Sequence, residues 1–215
     1  MNVVAVSVGG PREVQWREQV VKTSIFKTPV PHRVGVARDN LEGDEQSDLS
    51  VHGGPQKAVY AYPQEHYVHW RGELPDAALP WGSFGENLTT QGMREDEVWI
   101  GDRYRVGTAE LVVTQPRMPC YKLAIRFGDP DMVRRFLHSG RSGFYFSIAR
   151  EGDVGAGDAI ERLARDATRL TVADVVALYA TDRQNKALME NASTHPSLPA
   201  AWRGYFRKRL GVPDA

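Results

Sequence analysis

Glu97-Val98-Trp99-Ile100-Gly101-Asp102-Arg103-Tyr104-Arg105-Val106-Gly107-Thr108-Ala109-Glu110-Leu111-Val112-Val113-Thr114 sets the fold class. Residues 97–100, 104–106 and 111–114 are short runs rich in β-branched and aromatic side chains. Gly101-Asp102 and Gly107 separate them, and these residue types turn a chain at little steric cost. The pattern predicts consecutive strands, and it continues outward. Upstream, Val3 to Val8, Val20 to Phe26, Arg33 to Ala37 and Ala58 to Tyr62 have strand character, punctuated by Gly43-Asp44 and Gly53-Gly54-Pro55. Downstream come Phe144 to Ile148 and Ala159 to Leu163. Short strands at this spacing predict a mainly β fold, a barrel or a sandwich, with a few short helices. One helix is expected to start at Pro63 and carry Tyr67 and Trp70. A second, Asp131 to His138, places Met132, Val133 and Phe136 at helical spacing.

The character changes near Ala164, which divides the chain into a β domain over 1–163 and a small three-helix domain over 164–215. Thr171 is a natural cap for a helix with Val172, Val175, Val176 and Tyr179 on one face. A short helix around Lys186 to Glu190 follows. A third begins near Ser197, carries Leu198, Trp202, Phe206 and Leu210 as an apolar stripe, and ends in Arg207-Lys208-Arg209 before Gly211.

Composition bounds the function. The chain has 215 residues, with 27 basic against 27 acidic side chains and no net charge. A protein that neutralises nucleic-acid phosphates without regard to sequence needs a basic surplus, so that class is disfavoured. Hydrophobic residues make up 41%, enough for a real core. No run approaches the roughly 20 apolar residues of a membrane span, and the opening Met1-Asn2-Val3-Val4 reads as a strand, not a signal peptide. One cysteine, Cys120, can build neither a disulfide within the chain nor a cysteine-only zinc or iron–sulfur site. The expected compartment is the reducing cytoplasm.

Four stretches can carry chemistry, and each has a plainer reading. Cys120 lies in Gln115-Pro116-Arg117-Met118-Pro119-Cys120-Tyr121-Lys122, where two prolines fix the approach and Arg117 and Lys122 favour the nucleophilic, metal-binding thiolate. A lone cysteine is more often a small buried hydrophobe. In Asp48-Leu49-Ser50-Val51-His52-Gly53-Gly54-Pro55-Gln56-Lys57, Gly53 and Gly54 permit a turn whose N–H groups converge on an anion. There His52 and Lys57 add positive charge, and Asp48 can orient His52 or bind a ligand N–H; the plain alternative is a surface hairpin. Glu86-Asn87-Leu88-Thr89 sets an amide beside a carboxylate, a pair able to read the edge of a heterocycle, with a hydroxyl able to bind phosphate. It also reads as a turn into a strand. Lys27, in Ile25-Phe26-Lys27, either holds a phosphate or lies on a solvated strand face.

Taken in order, these motifs are specific. Ile25-Phe26-Lys27, Gly43-Asp44, His52-Gly53-Gly54-Pro55, Lys57-Ala58-Val59-Tyr60, Phe84-Gly85-Glu86-Asn87-Leu88-Thr89, Gly101-Asp102-Arg103, Gln115-Pro116-Arg117, Pro119-Cys120-Tyr121-Lys122 and Gly143-Phe144-Tyr145 together resemble the YiiM-like branch of the MOSC family. The name denotes the molybdenum cofactor sulfurase C-terminal domain. The resemblance spans roughly residues 1 to 163, and the remainder is similar to the three-helix domain of that branch.

The resemblance implies a MOSC-type β-barrel that binds the molybdopterin form of the molybdenum cofactor, with Cys120 ligating molybdenum. It implies Asn87 and Glu86 at the pterin edge, and Lys27, Lys57, Thr89, Arg117 and the Gly53-Gly54 loop about the phosphate or dithiolene. His52 and Asp48 are expected on the substrate side. Similar proteins reduce N-hydroxylated compounds, among them hydroxylamino-purines and amidoximes. No Gly-x-Gly-x-x-Gly dinucleotide fingerprint is evident, so a separate flavin or iron–sulfur electron donor protein is expected. Trp202, Tyr205 and Phe206 are candidates for docking it, although packing on the barrel or a homodimer contact is the favoured reading. No nucleic acid or membrane partner is expected. The competing class is a carrier, in which Cys120 holds a persulfide or hands the cofactor to a client.

Overall fold

The strand runs pair across tight reversals, at Arg17, φ 55°, between residues 16 and 19 and at Gly107, φ 60°, between residues 106 and 109. The structure, a computed structural model, describes residues 1–37, 39–47 and 53–212. Its strands are β1 (Asn2–Val8), β2 (Arg12–Trp16), β3 (Gln19–Thr23), β4 (Thr28–Pro29), β5 (Val34–Ala37), β6 (Asn40–Leu41), β7 (Val59–Pro63), β8 (Leu88–Gln91), β9 (Arg103–Val106), β10 (Ala109–Pro116), β11 (Phe144–Arg150), β12 (Gly152–Val154) and β13 (Ile160–Ala164). Its helices are α1 (Glu65–Glu73), α2 (Tyr121–Phe127), α3 (Met132–Ser139), α4 (Val172–Ala180), α5 (Lys186–Thr194) and α6 (Ala200–Leu210), with a 3₁₀ turn at Pro55–Lys57.

Eight strands form one sheet in the order β13-β9-β10-β11-β7-β8-β1-β4. Every neighbour pair is antiparallel except β7 and β8, which run parallel. A parallel pair needs a crossover, and α1 lies in the connection. A smaller sheet, β12-β5-β6, and the β2-β3 hairpin complete the strands.

The expected closed barrel is not formed among the described residues. β1, beside the end strand β4, meets the residue before β13 at a single bridge, Asn2 with Ala159. Around it Val3 N donates to Asp158 O at 2.9 Å, Gly157 N to Val3 O at 2.8 Å, and Ile160 N to Met1 O at 2.9 Å. Two features stop the ladder there. β1 shifts register between Val3 and Ala5, and its far end, Ser7 and Val8, is already paired with β4.

Other local expectations shift for identifiable reasons. Residues 97–100 are a turn, with Glu97 N and Val98 N both donating to Arg94 O at 3.0 Å. Its apolar side chains, Val98 and Ile100, are buried because Val98 O accepts from Val172 N, and Ile100 N donates to Leu170 O, at the entry to α4. Pro63 ends β7 and does not open α1. The run from Val20 stops at Thr23, and its hairpin partner β2 is an addition, as is α2 directly after Cys120.

The C-terminal helices follow their caps. Thr171 Oγ1 accepts from Asp174 N and Thr171 N donates to Asp174 Oδ2, both at 2.9 Å, a reciprocal capping box. α6 stops at Gly211, left-handed at φ 73°. Val172, Val175, Leu178, Met189, Ala192, Leu198 and Phe206 share one hydrophobic cluster with Leu111, Val113 and Phe146 of the sheet. A second cluster gathers Tyr62, Tyr67, Trp70, Phe84, Leu123 and Phe136, and it backs the region of Cys120.

Candidate functional site

The loops after β3, β6 and β10 converge with Tyr60 of β7 and Tyr145 of β11 on one cleft. It holds about 660 Å³ of non-protein space, its open mouth included. Lys27, Asp44, Lys57, Asn87, Arg117, Cys120 and Lys122 are on its walls, with Gly53 and Ser47 at the rim segments.

Asp44 organises the inner wall. Its Oδ1 accepts from Gly9 N at 2.9 Å and forms a short ion pair with Lys27 Nζ. Its Oδ2 accepts from Asn87 Nδ2 at 3.0 Å. Burial pushes the Lys27 ammonium below its ordinary pKa, and Asp44 pulls it back up. Asn87 is committed as well: its Oδ1 accepts from Tyr60 N at 3.0 Å, tying the loop to β7.

Glu86 and Thr89 lie behind this wall. The fully buried Glu86 carboxylate accepts from Gly82 N at 2.9 Å, Phe84 N at 3.0 Å and Thr89 Oγ1 at 3.0 Å, and makes a short bond with Tyr67. Gly82 is required there. Its φ is +86°, and a Cβ would stand 2.9 Å from Lys27 O. Thus Glu86 holds the 82–86 turn that supports Lys27, and its contacts are with the protein.

Arg117 is different. It follows β10, its backbone N donating to Gly143 O at 3.2 Å, and only 5% of it is exposed. Its guanidinium lies over Tyr60 and Phe136, 5.6 and 5.0 Å from the ring centroids. Burial raises the pKa of Tyr60 and of Tyr145, so both phenols are neutral near pH 7. Arg117 Nη1 is buried with no hydrogen-bond partner among the described residues. A buried charge-bearing donor left unsatisfied costs several kcal/mol unless a ligand meets it, by order of magnitude.

Cys120 stands at the start of α2, half-buried, its carbonyl accepting from Leu123 N at 2.9 Å. Lys122, on the first turn, is buried with its Nζ 3.3 Å from Ser47 Oγ. Lys57 closes the 3₁₀ turn, its pKa lowered by burial and raised by Cys120. Gly53 and Gly54 have φ of +121° and +81° and lead into that turn. Asp48 and His52 lie outside the described residues. The expected cofactor residues thus divide. Lys27, Gly53, Lys57, Asn87 and Arg117 line the cleft beside Cys120, whereas Glu86 and Thr89 do not.

Asp44, Tyr60 and Tyr145 are added by the structure. Asp44 reads in sequence as half of a Gly-Asp turn, and no local spacing reveals that Lys27, 17 residues earlier, needs it. Among the described residues no group of three or more His, Cys, Asp or Glu side chains is placed to hold a metal ion. Cys120 is the chain's single thiol, so a metal bound there takes one thiolate from this chain. One soft thiolate beside a buried cation suits a metal carried on an anionic organic ligand.

The MOSC domain model matches residues 48–161, and the model of the YiiM-like three-helix domain matches residues 170–211. The chain belongs to the MOSC family, in the branch that carries this helical domain. It is 38% identical over 208 residues to the uncharacterized protein YflK of Bacillus subtilis, covering 97% of this chain and 94% of that one. It is 38% identical over 158 residues to protein YiiM of Escherichia coli, 73% of this chain and 70% of the relative. A protein of Gibberella moniliformis named a reductase is 35% identical over 158 residues, 72% of this chain but 28% of the relative. The crystal structure of YiiM from Geobacillus stearothermophilus superposes with a TM-score of 0.81 at 37% identity, over 97% of this chain and 98% of that one. MOSC domains are associated with the molybdenum cofactor, and no helix among the described residues is long and apolar enough to cross a membrane.

Proposed function

We propose that the chain is a molybdenum-cofactor-dependent reductase of N-hydroxylated compounds, with Cys120 as the protein's ligand to the metal. The observation that carries the reading is the orphaned, buried Nη1 of Arg117 in the cleft that Cys120 lines. An anionic phosphate or dithiolene would satisfy that donor, and Lys57 and Lys122 stand on the same cleft. The family and the reductase name of one relative support the same direction.

When bound, the cofactor supplies two-electron oxygen-atom chemistry at the metal. The overall change is R–NH–OH plus two electrons and two protons giving R–NH₂ and water. The electrons come from a separate flavin or iron–sulfur donor protein. This chain's residues hold and screen the group. Arg117 neutralises negative charge in a site shielded from water, where charge pairing is strong. The Asp44–Lys27–Asn87 network fixes the inner wall so that no side-chain reorganisation is needed on binding. Tyr60 and Tyr145, kept as phenols by burial, are neutral neighbours of the guanidinium.

Elemental analysis of molybdenum on wild-type and Cys120→Ala protein, expressed in a host that makes the cofactor, tests the reading. Wild type near one metal per chain and a depleted variant are expected, with wild type reducing a hydroxylamino-purine when given artificial electrons. Protein that neither retains nor takes up molybdenum, yet releases sulfur from Cys120 on cyanide treatment, would establish the carrier class instead.

A further inference from the structure

A second cavity meets the cleft at Cys120 and differs from it in chemistry. It runs between the 53–57 turn, residues 115–120 and the α4 and α6 helices, with Tyr145, Tyr179, Trp202 and Tyr205 as its aromatic walls. Gly53, Lys57, Met118, Cys120 and Tyr145 line both spaces, so the two adjoin at Cys120. No carboxylate lines the second space among the described residues, and Lys57 is its one charged side chain. Its aromatic faces offer a flat ring a stacking surface.

The aromatic wall is fixed. Trp202 Nε1 donates to Gln115 Oε1 at 3.1 Å, and Gln115 Nε2 donates to Gln56 O at 3.1 Å. This ties the indole to β10 and, through β10, to the segment that ends in Cys120. Tyr179 and Tyr205 stand 5.8 and 6.1 Å from the Trp202 ring, at 76° and 86° to it. The next residue, Phe206, is fully buried, whereas Trp202 and Tyr205 are left partly open at the cavity. Pre-set rings that cost no ordering on binding are what a planar ligand needs.

We propose that this groove is the substrate subsite, built jointly by the sheet and the C-terminal helices, and that it takes the planar aryl or heteroaryl part of the substrate. The inference rests on the reductase reading for the identity of the ligand. With a ring on Trp202, the substituent that carries the N–O bond points to the junction at Cys120. The helical domain then sets substrate preference, and aromatic N-hydroxy compounds are favoured over small acyclic ones.

The test compares KM for benzamidoxime and acetamidoxime on molybdenum-loaded protein with an artificial electron donor. Trp202→Ala removes the ring. Ala201→Trp, at an exposed position lining the groove, fills it without disturbing the core. Each variant is expected to raise KM for benzamidoxime about tenfold relative to acetamidoxime, the size of effect that loss of one ring-stacking contact gives, with little change in kcat. A readout that needs no metal is calorimetric titration of adenine into the purified protein, expected to weaken about tenfold in Ala201→Trp. Adenine binding unchanged in Ala201→Trp, or KM for both amidoximes rising together, would overturn the subsite. Wild type that reduces neither amidoxime, while adenine binding is lost in Ala201→Trp, would fail the reductase reading and leave the groove standing.

Discussion

Arg117 and Asp44 are both buried and carry opposite implications. Asp44 is a satisfied charge, with Lys27, Gly9 and Asn87 all donating to it. Removing one partner of such a pair leaves the other uncompensated, so Asp44→Ala is expected to lower stability by about 3 kcal/mol. Urea denaturation monitored by fluorescence measures it. Arg117 has aromatic rings beside its guanidinium and keeps a buried Nη1 with no hydrogen-bond partner among the described residues. Arg117→Met is therefore expected to leave cofactor-free protein as stable as wild type, or more stable by about 1 kcal/mol, while molybdenum retention falls. Thermal unfolding and metal analysis on the same samples separate the two effects. A variant that is both less stable and fully metal-loaded would show that Arg117 serves packing.

The residues named for the site were legible in sequence only as members of motifs. Cys120, Arg117 and Lys27 each have a plainer reading alone, and they stand out only through the order of the motifs that contain them. Asp44 hides because its partners are 17, 35 and 43 residues away. Glu86 and Asn87 show the reverse problem. Their amide and carboxylate groups look like ligand readers, yet backbone amides claim the hydrogen bonds first.

At the level of elements, capping and turn residues were the reliable signals. Thr171 with Asp174 marks the start of α4, and Gly211 the end of α6. Thr171→Ala is expected to cost about 1 kcal/mol, measured by thermal denaturation. Gly143 is a second sensitive point: its φ is +60°, and a Cβ would stand 2.4 Å from Ala61 O, where β11 passes β7. Gly143→Ala should cost more than about 1 kcal/mol in the same measurement and also shift the backbone that accepts from Arg117 N. Apolar runs without such punctuation misled. Residues 97–100 have strand composition but pack at the entry to α4, and α2, seven mostly apolar residues, is too short to show a helical period.

For the whole molecule, the change of composition near Ala164 marks a change of architecture without a separate core. Phe206, Leu198 and Val175 are buried in the same cluster as the sheet's Val113 and Phe146. A chain cut after residue 164 would expose one side of that cluster, and it is expected to lose the dispersed amide spectrum and sharp thermal transition of a packed protein. The count and order of strands, by contrast, could not tell a closed barrel from an open curled sheet. That distinction rests on whether β1 offers β13 a ladder or one bridge, which depends on a register shift that composition does not encode.

The seam at Asn2 and Ala159 also bears on how the molecule is made. Val3 N and Val3 O bond Asp158 O and Gly157 N, and Met1 O accepts from Ile160 N, more than 150 positions along the chain. One end of this edge of β1 is paired early by β4, at Thr28 and Pro29, whereas the other end waits for residues 157–160. Such distant pairing makes closure a late, slow event, favours waiting in a partly assembled state, and exposes the nascent chain to chaperones in the interval.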